Sequence, residues 1–180
     1  MENFNIDARQ LKAAMIFQAK NDVRYYLNGV LIGSNRLVAT NGHKMIVVDS
    51  DGADFDPVIC NIKGTIPKAA VNCEFVFIDD ESGVIFFTTK FGVELNQVLR
   101  FGITDASSFP DYERAIPDGE PNAPVQVAFN TQYMADIDRA CTALGSTMNA
   151  GKFTFYEKSV LVDISNAEQS AKCVIMGLRM

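Results

Sequence analysis

Short apolar, strand-like runs separated by turn residues make up most of this chain, and only two stretches take the 3.6-residue period of a helix. Phe4 and Ile6 alternate with polar neighbours as a short opening strand. Asp7 then has the character of an N-cap, and Gln10 three residues on completes a capping-box spacing. A helix is therefore expected over residues 8–20, with Leu11, Ala14 and Met15 facing inward. Strands are expected over 25–32, 36–40, 44–48 and 58–66, with Asn41-Gly42 marking a tight turn. One short helical turn near 67–71 precedes strands at 74–78, 84–89 and 93–103. Residues 105–124 are rich in Pro, Asp and Ser and read as a linker or long connection. A strand at 125–129 leads to a second helix, capped by Asn130 or Thr131 and ending near Gly145. Its inner stripe is Met134, Ile137, Cys141 and Leu144, after which strands are expected at 153–156, 160–164 and 172–179.

Composition narrows the class. Hydrophobic residues make up 48% and charged residues 21%, with thirteen Phe, so the chain has the material for a well-filled core. No apolar run approaches the ~20 residues that cross a bilayer, and the first residues lack a signal peptide's basic and apolar stretches. The expected address is cytoplasmic, with no membrane partner. Cys60, Cys73, Cys141 and Cys173 form no CxxC pair and read as reduced core thiols. A net charge of −6 argues against gripping nucleic acid by broad neutralisation, while leaving room for a local basic patch.

Catalytic chemistry is hard to find. The carboxylates gather in turns (Asp49 with Asp51, Asp54 with Asp56, 79–81) and read as solvated loops. No glycine-rich loop opens a helix, so nucleotide-binding fingerprints are missing. His43 is the one candidate base, directly after a tight turn and without a nucleophile at motif spacing; it reads as a turn histidine. No catalytic residue, metal ligand or cofactor is assigned, and the chain is expected not to be an enzyme. Arg24-Tyr25-Tyr26, with Lys20 nearby, joins a cation to two aromatics. Such a set can contact phosphates and stack on bases, or can equally be a core tyrosine beside a solvated arginine.

Four segments resemble the bacterial DNA polymerase III sliding clamps. They are Asp22-Val23-Arg24-Tyr25-Tyr26-Leu27-Asn28-Gly29; Leu37 to Met45; Phe109 to Pro117; and Val174-Ile175-Met176-Gly177-Leu178-Arg179-Met180, in the family's order. The resemblance implies an α+β fold of the DNA-clamp type, antiparallel sheets with two helices packed on one face. Residues 1–117 are similar to the clamp's middle domain, with its second helix shortened to 67–72, and 118–180 to the C-terminal half of the third. The family's partner-peptide pocket would fall on Leu27, Thr40, Gly42, His43, Met45, Pro117, Val174, Met176, Leu178, Arg179 and Met180. DNA contact, weak and sequence-independent, would fall on Asn21, Arg24, Tyr25 and Tyr26. The implied function is processivity and recruitment in DNA replication, with DNA, DNA polymerase and other proteins carrying clamp-binding peptides as partners, and a homo-oligomer as the assembly. The alternative is a clamp-mimic regulator that binds the host clamp's partners without encircling DNA. Gly177 stands where the family often has proline, Lys44 where arginine is usual, and Asn41 where aspartate is usual.

Overall fold

The computed structural model describes residues 6–51, 56–79, 84–89, 93–121 and 127–178. Its frame is an antiparallel ten-stranded sheet ordered β5-β6-β7-β4-β1-β2-β3-β10-β9-β8. The strands are β1 Val30–Ile32, β2 Arg36–Thr40, β3 Lys44–Asp49, β4 Val58–Lys63, β5 Cys73–Asp79, β6 Val84–Thr89, β7 Glu94–Asp105, β8 Lys152–Phe155, β9 Ser159–Asp163 and β10 Ala171–Met176. The join between the N-terminal and C-terminal parts is the β3–β10 ladder, where Ile46 faces Cys173 and Met45 faces Val174. Hydrogen bonding is thus continuous across the boundary expected at 117/118.

Both faces of the central strands are covered, which is why they read as nearly unbroken apolar runs. Leu37, Ala39, Ile46, Val48, Cys173 and Ile175 point to the main core, beneath the helices α1 (Ala8–Met15) and α2 (Gln132–Ala143). Val38, Met45, Val47 and Val174 point the other way into a second, smaller core. Each side chain buried there contributes about 1.5–3 kcal/mol.

The structure shortens α1 relative to the expected 8–20. Ile16 and Phe17 donate to Ala13 O and Ala14 O, tightening the last turn, and the ammonium of Lys44 then takes Ile16 O at 2.8 Å. A cation at the C-terminal carbonyls ends the helix favourably, and Phe17 drops into the core. Asp7 does cap the helix through Arg9 N. Gln10 does not reach back to it but donates to Asp49 O and Gln169 Oε1. α2 behaves as its punctuation predicts: Asn130 Oδ1 accepts from Gln132 N, and Gly145 (φ +78) closes a Schellman motif with Ser146 N on Cys141 O.

Two further expectations change. The run at 25–32 is not all strand: Tyr25–Asn28 is a 3₁₀ turn, because the side chains of Asp22 and Asn28 hydrogen-bond the local backbone instead of leaving it to a ladder. Gly29 follows because a Cβ there would lie 2.7 Å from Ile59 Cγ2. Residues 105–121 are no free linker. Short 3₁₀ turns at Ala106–Ser108 and Glu113–Ala115 place Phe109, Tyr112 and Ile116 on the second core. The strand expected at 125–129 lies partly outside the described residues, and Ala128 makes an isolated bridge to Leu178.

Candidate functional site

At the rim of the second core, segments distant in sequence converge on an apolar groove of about 270 Å³. Leu27, from the 3₁₀ turn, and Met45 and Val174, from β3 and β10, are buried in its floor, while Met176 remains 40% exposed at its mouth. Pro110, Tyr112 and Ala115 supply the facing wall. The β2–β3 turn shapes one end. Asn41 Oδ1 accepts from His43 N and Lys44 N, each at 2.9 Å, while Thr40 Oγ1 donates to Lys44 O and accepts from Gly42 N. Asparagine can make this turn as well as aspartate, since only an acceptor is needed. Gly42 has φ +88, and a Cβ there would lie 3.2 Å from the Arg24 guanidinium.

The candidate pocket residues divide accordingly. Leu27, Thr40, Gly42, His43, Met45, Val174 and Met176 line the groove. Pro117 lies outside it, half-buried, because Ile116 is the residue that turns onto the second core. Leu178 is also outside, 55% exposed, with its N–H donating to Ala128 O. Arg179 and Met180, like Phe4, fall outside the described residues. The groove-wall residues Pro110, Asp111, Tyr112 and Ala115 were missed: the segment from Phe109 to Pro117 resembles the clamps, but it has no periodicity to show which of its side chains turn onto the sheet.

Behind the β2–β3 turn lies a second and larger cleft of about 720 Å³, bordered by Lys12, Lys20, Arg24, Lys44 and Arg139 as well as Asp22 and Asp136. Arg24 borders both cavities. Its guanidinium is bidentate on Asp22, whose carboxyl is held down at about 2 chiefly by that side-chain hydrogen bond. Asn21 is exposed in the left-handed region at φ 56, turning the chain between Lys20 and Asp22. Tyr25 and Tyr26 meet edge to face at 5.6 Å and then part. Tyr25 is 56% exposed, whereas Tyr26 turns into the apolar groove.

Between the two cavities runs a buried ion pair. Lys44 Nζ contacts Asp136 Oδ2 at 2.5 Å, both side chains under 10% exposed, and stands 4.8 Å above the Phe17 ring. Burial pushes the lysine down from its ordinary pKa, and Asp136 opposes that shift. Asp136 also takes Arg139 at 2.9 Å. Among the described residues no group of three or more His, Cys, Asp or Glu converges to hold a metal ion, and no helix is long and apolar enough to cross a membrane.

No protein-family model matches the chain. The Beta sliding clamp of Pseudomonas aeruginosa is 31% identical over 129 residues, taking in 65% of this chain and 34% of that protein. The crystal structure of the DNA polymerase III subunit beta of the same organism superposes over 100% of this chain and 66% of its own, with TM-score 0.60 at 20% identity. Caulobacter crescentus pol III beta gives 0.59 at 19%, over 100% and 67% of the two chains. The Bacillus subtilis DNA polymerase sliding clamp gives 0.58 at 14%, over 96% and 62%.

The fold is that of the bacterial sliding clamp.

The chain spans about a third of the length of the curated clamp it matches. Within the clamp fold, Gly177 has a local explanation. Its N–H donates to Lys158 O at 2.8 Å, a bond proline could not make, and a Cβ would lie 3.1 Å from both that oxygen and Val127 Cγ1.

Proposed function

We propose that this chain is a non-catalytic, clamp-like DNA-replication protein that recruits partners through short peptides seated in the apolar groove and touches DNA through the basic cleft. The observation that carries this reading is the groove itself: Leu27, Met45, Val174 and Met176, from three separated segments, meet beside an exposed mouth. Flexible methionines over an aliphatic floor suit an adaptable site for a peptide's hydrophobic tail. Lys12 and Lys20 beside the larger cleft supply local positive charge on a body whose net charge is −6, which fits weak, sequence-independent contact with phosphates.

Self-association belongs to the same proposal. β8 ends the sheet, and Phe153 and Phe155 on it are 41% and 39% exposed. An open edge carrying two exposed phenylalanines is a template for pairing. Light scattering that gave a monomer at every concentration would favour the clamp-mimic regulator.

The groove is tested with a fluorescein-labelled peptide carrying a glutamine and a hydrophobic tail, read by fluorescence anisotropy. Met176→Arg changes an exposed side chain at the mouth, so the fold should persist while affinity falls at least about tenfold, as for a lost interface anchor. Equal binding by parent and variant would remove the groove from the proposal.

A further inference from the structure

Arg24 is already occupied. Its Nε donates to Asp22 Oδ1 at 3.0 Å, its Nη2 to Asp22 Oδ2 at 2.9 Å, and its backbone N–H to the same Oδ1 at 2.9 Å. This two-pronged arrangement is the one in which an arginine takes a phosphate. Asp22 is set in place independently of Arg24: its N–H donates to Asn28 Oδ1 at 2.9 Å, and its carbonyl accepts from Asn28 Nδ2 at 2.8 Å. The pair is not a core strut, since the two side chains are 47% and 22% exposed, and exposed pairs add little stability. What the arrangement does accomplish is to hold a guanidinium on the wall shared by the basic cleft and the groove.

We propose that Asp22 is a built-in counter-anion that stands in for a nucleic-acid phosphate at Arg24, so that DNA must displace the carboxylate before Arg24 can contribute to binding. The inference rests on the reading of the basic cleft as a DNA surface. An arginine paired with its own aspartate neutralises no phosphate and releases no counterion when DNA arrives. Binding then falls to Lys12 and Lys20, with Arg24 held in reserve. The grip is loosened at one defined position and the loop geometry is unaffected.

The test uses the whole chain as parent, Asp22→Asn, Arg24→Ala and the double variant. Asparagine keeps an oxygen for the Arg24 N–H, and the Asn28 contacts involve only the Asp22 backbone, so the loop persists. Each protein is titrated with a fluorescein-labelled DNA duplex by anisotropy over a series of salt concentrations. Asp22→Asn should tighten binding about three- to tenfold at low salt and steepen the log–log salt slope by about 0.9, one additional phosphate. In the Arg24→Ala background the same change should leave the slope where it was. A gain of equal size without Arg24 would reduce the effect to bulk charge and overturn the proposal. Arg24→Ala binding more weakly than the parent while Asp22→Asn binds like it would overturn the counter-anion alone. A duplex that binds none of the four proteins would overturn the DNA reading with it.

Discussion

Removing the Lys44 ammonium is the most informative perturbation of this fold. In Lys44→Met, Asp136 stays buried with, among the described residues, Arg139 alone to answer it, and that arginine is itself 56% exposed. Ile16 O loses its partner at the end of α1, a deficit of about 1–3 kcal/mol by itself. The contact with the Phe17 face goes as well. Breaking a buried pair from one side costs about 3–5 kcal/mol in total, a large part of the about 5–15 kcal/mol that holds a typical domain together. With a urea m-value of about 2 kcal/mol/M, the midpoint should fall by about 1.5–2.5 M. Lys44→Met combined with Asp136→Leu should recover the part due to the stranded carboxylate, because two matched apolar residues need no solvation, while Ile16 O stays without the lysine. Circular dichroism across a urea series measures all four corners of the cycle. A single variant that lost less than about 1 kcal/mol, or a double variant less stable than both singles, would refute the claim that this pair is buried and mutually dependent.

Asp22 should titrate near 2, below the ordinary 3.8, because Arg24 donates to it through side chain and backbone. The sign is that of a depressed acid: the clasp's contribution is complete above 3.8 and is lost as the pH falls through about 2. Carbon-detected NMR of the Asp22 carboxyl should show the midpoint returning towards 3.8 in Arg24→Ala, and an unmoved midpoint would reject the assignment. Burial pushes the Cys60 thiol up to about 12 and Cys173 well above its usual value. All four cysteines are free and buried, so a thiol reagent should label none in the native state and four in urea; rapid native labelling would contradict this. Gly29→Ala places a Cβ 2.7 Å from Ile59 Cγ2 and 2.9 Å from Cys60 O. It should lower stability by about 1–3 kcal/mol in urea unfolding, and an unchanged midpoint would show that β4 can move aside.

Local pattern alone determined where most strands lie, because a strand records its two environments in alternate residues. Leu37-Val38-Ala39 and Met45-Ile46-Val47-Val48 are apolar at every position because each face meets a different core. The second helix was legible to its last turn for the same kind of reason: Asn130 and Gly145 act on the backbone within a few residues of themselves. The groove was legible in part, through segments whose likeness to the clamps named Leu27, Met45, Val174 and Met176, while Pro117 and Leu178 stand clear of it. Tertiary structure decided the rest. α1 ends at Met15 because a lysine from β3 reaches Ile16 O, 28 residues away, and that lysine is tolerated in the core because Asp136 meets it from 92 residues away. Phe109, Tyr112 and Ile116 look like linker residues until the sheet gives them a face to cover. Periodicity reports how buried a position is, but a contact between distant residues leaves no period, so which groups meet is known only once the chain has closed on itself.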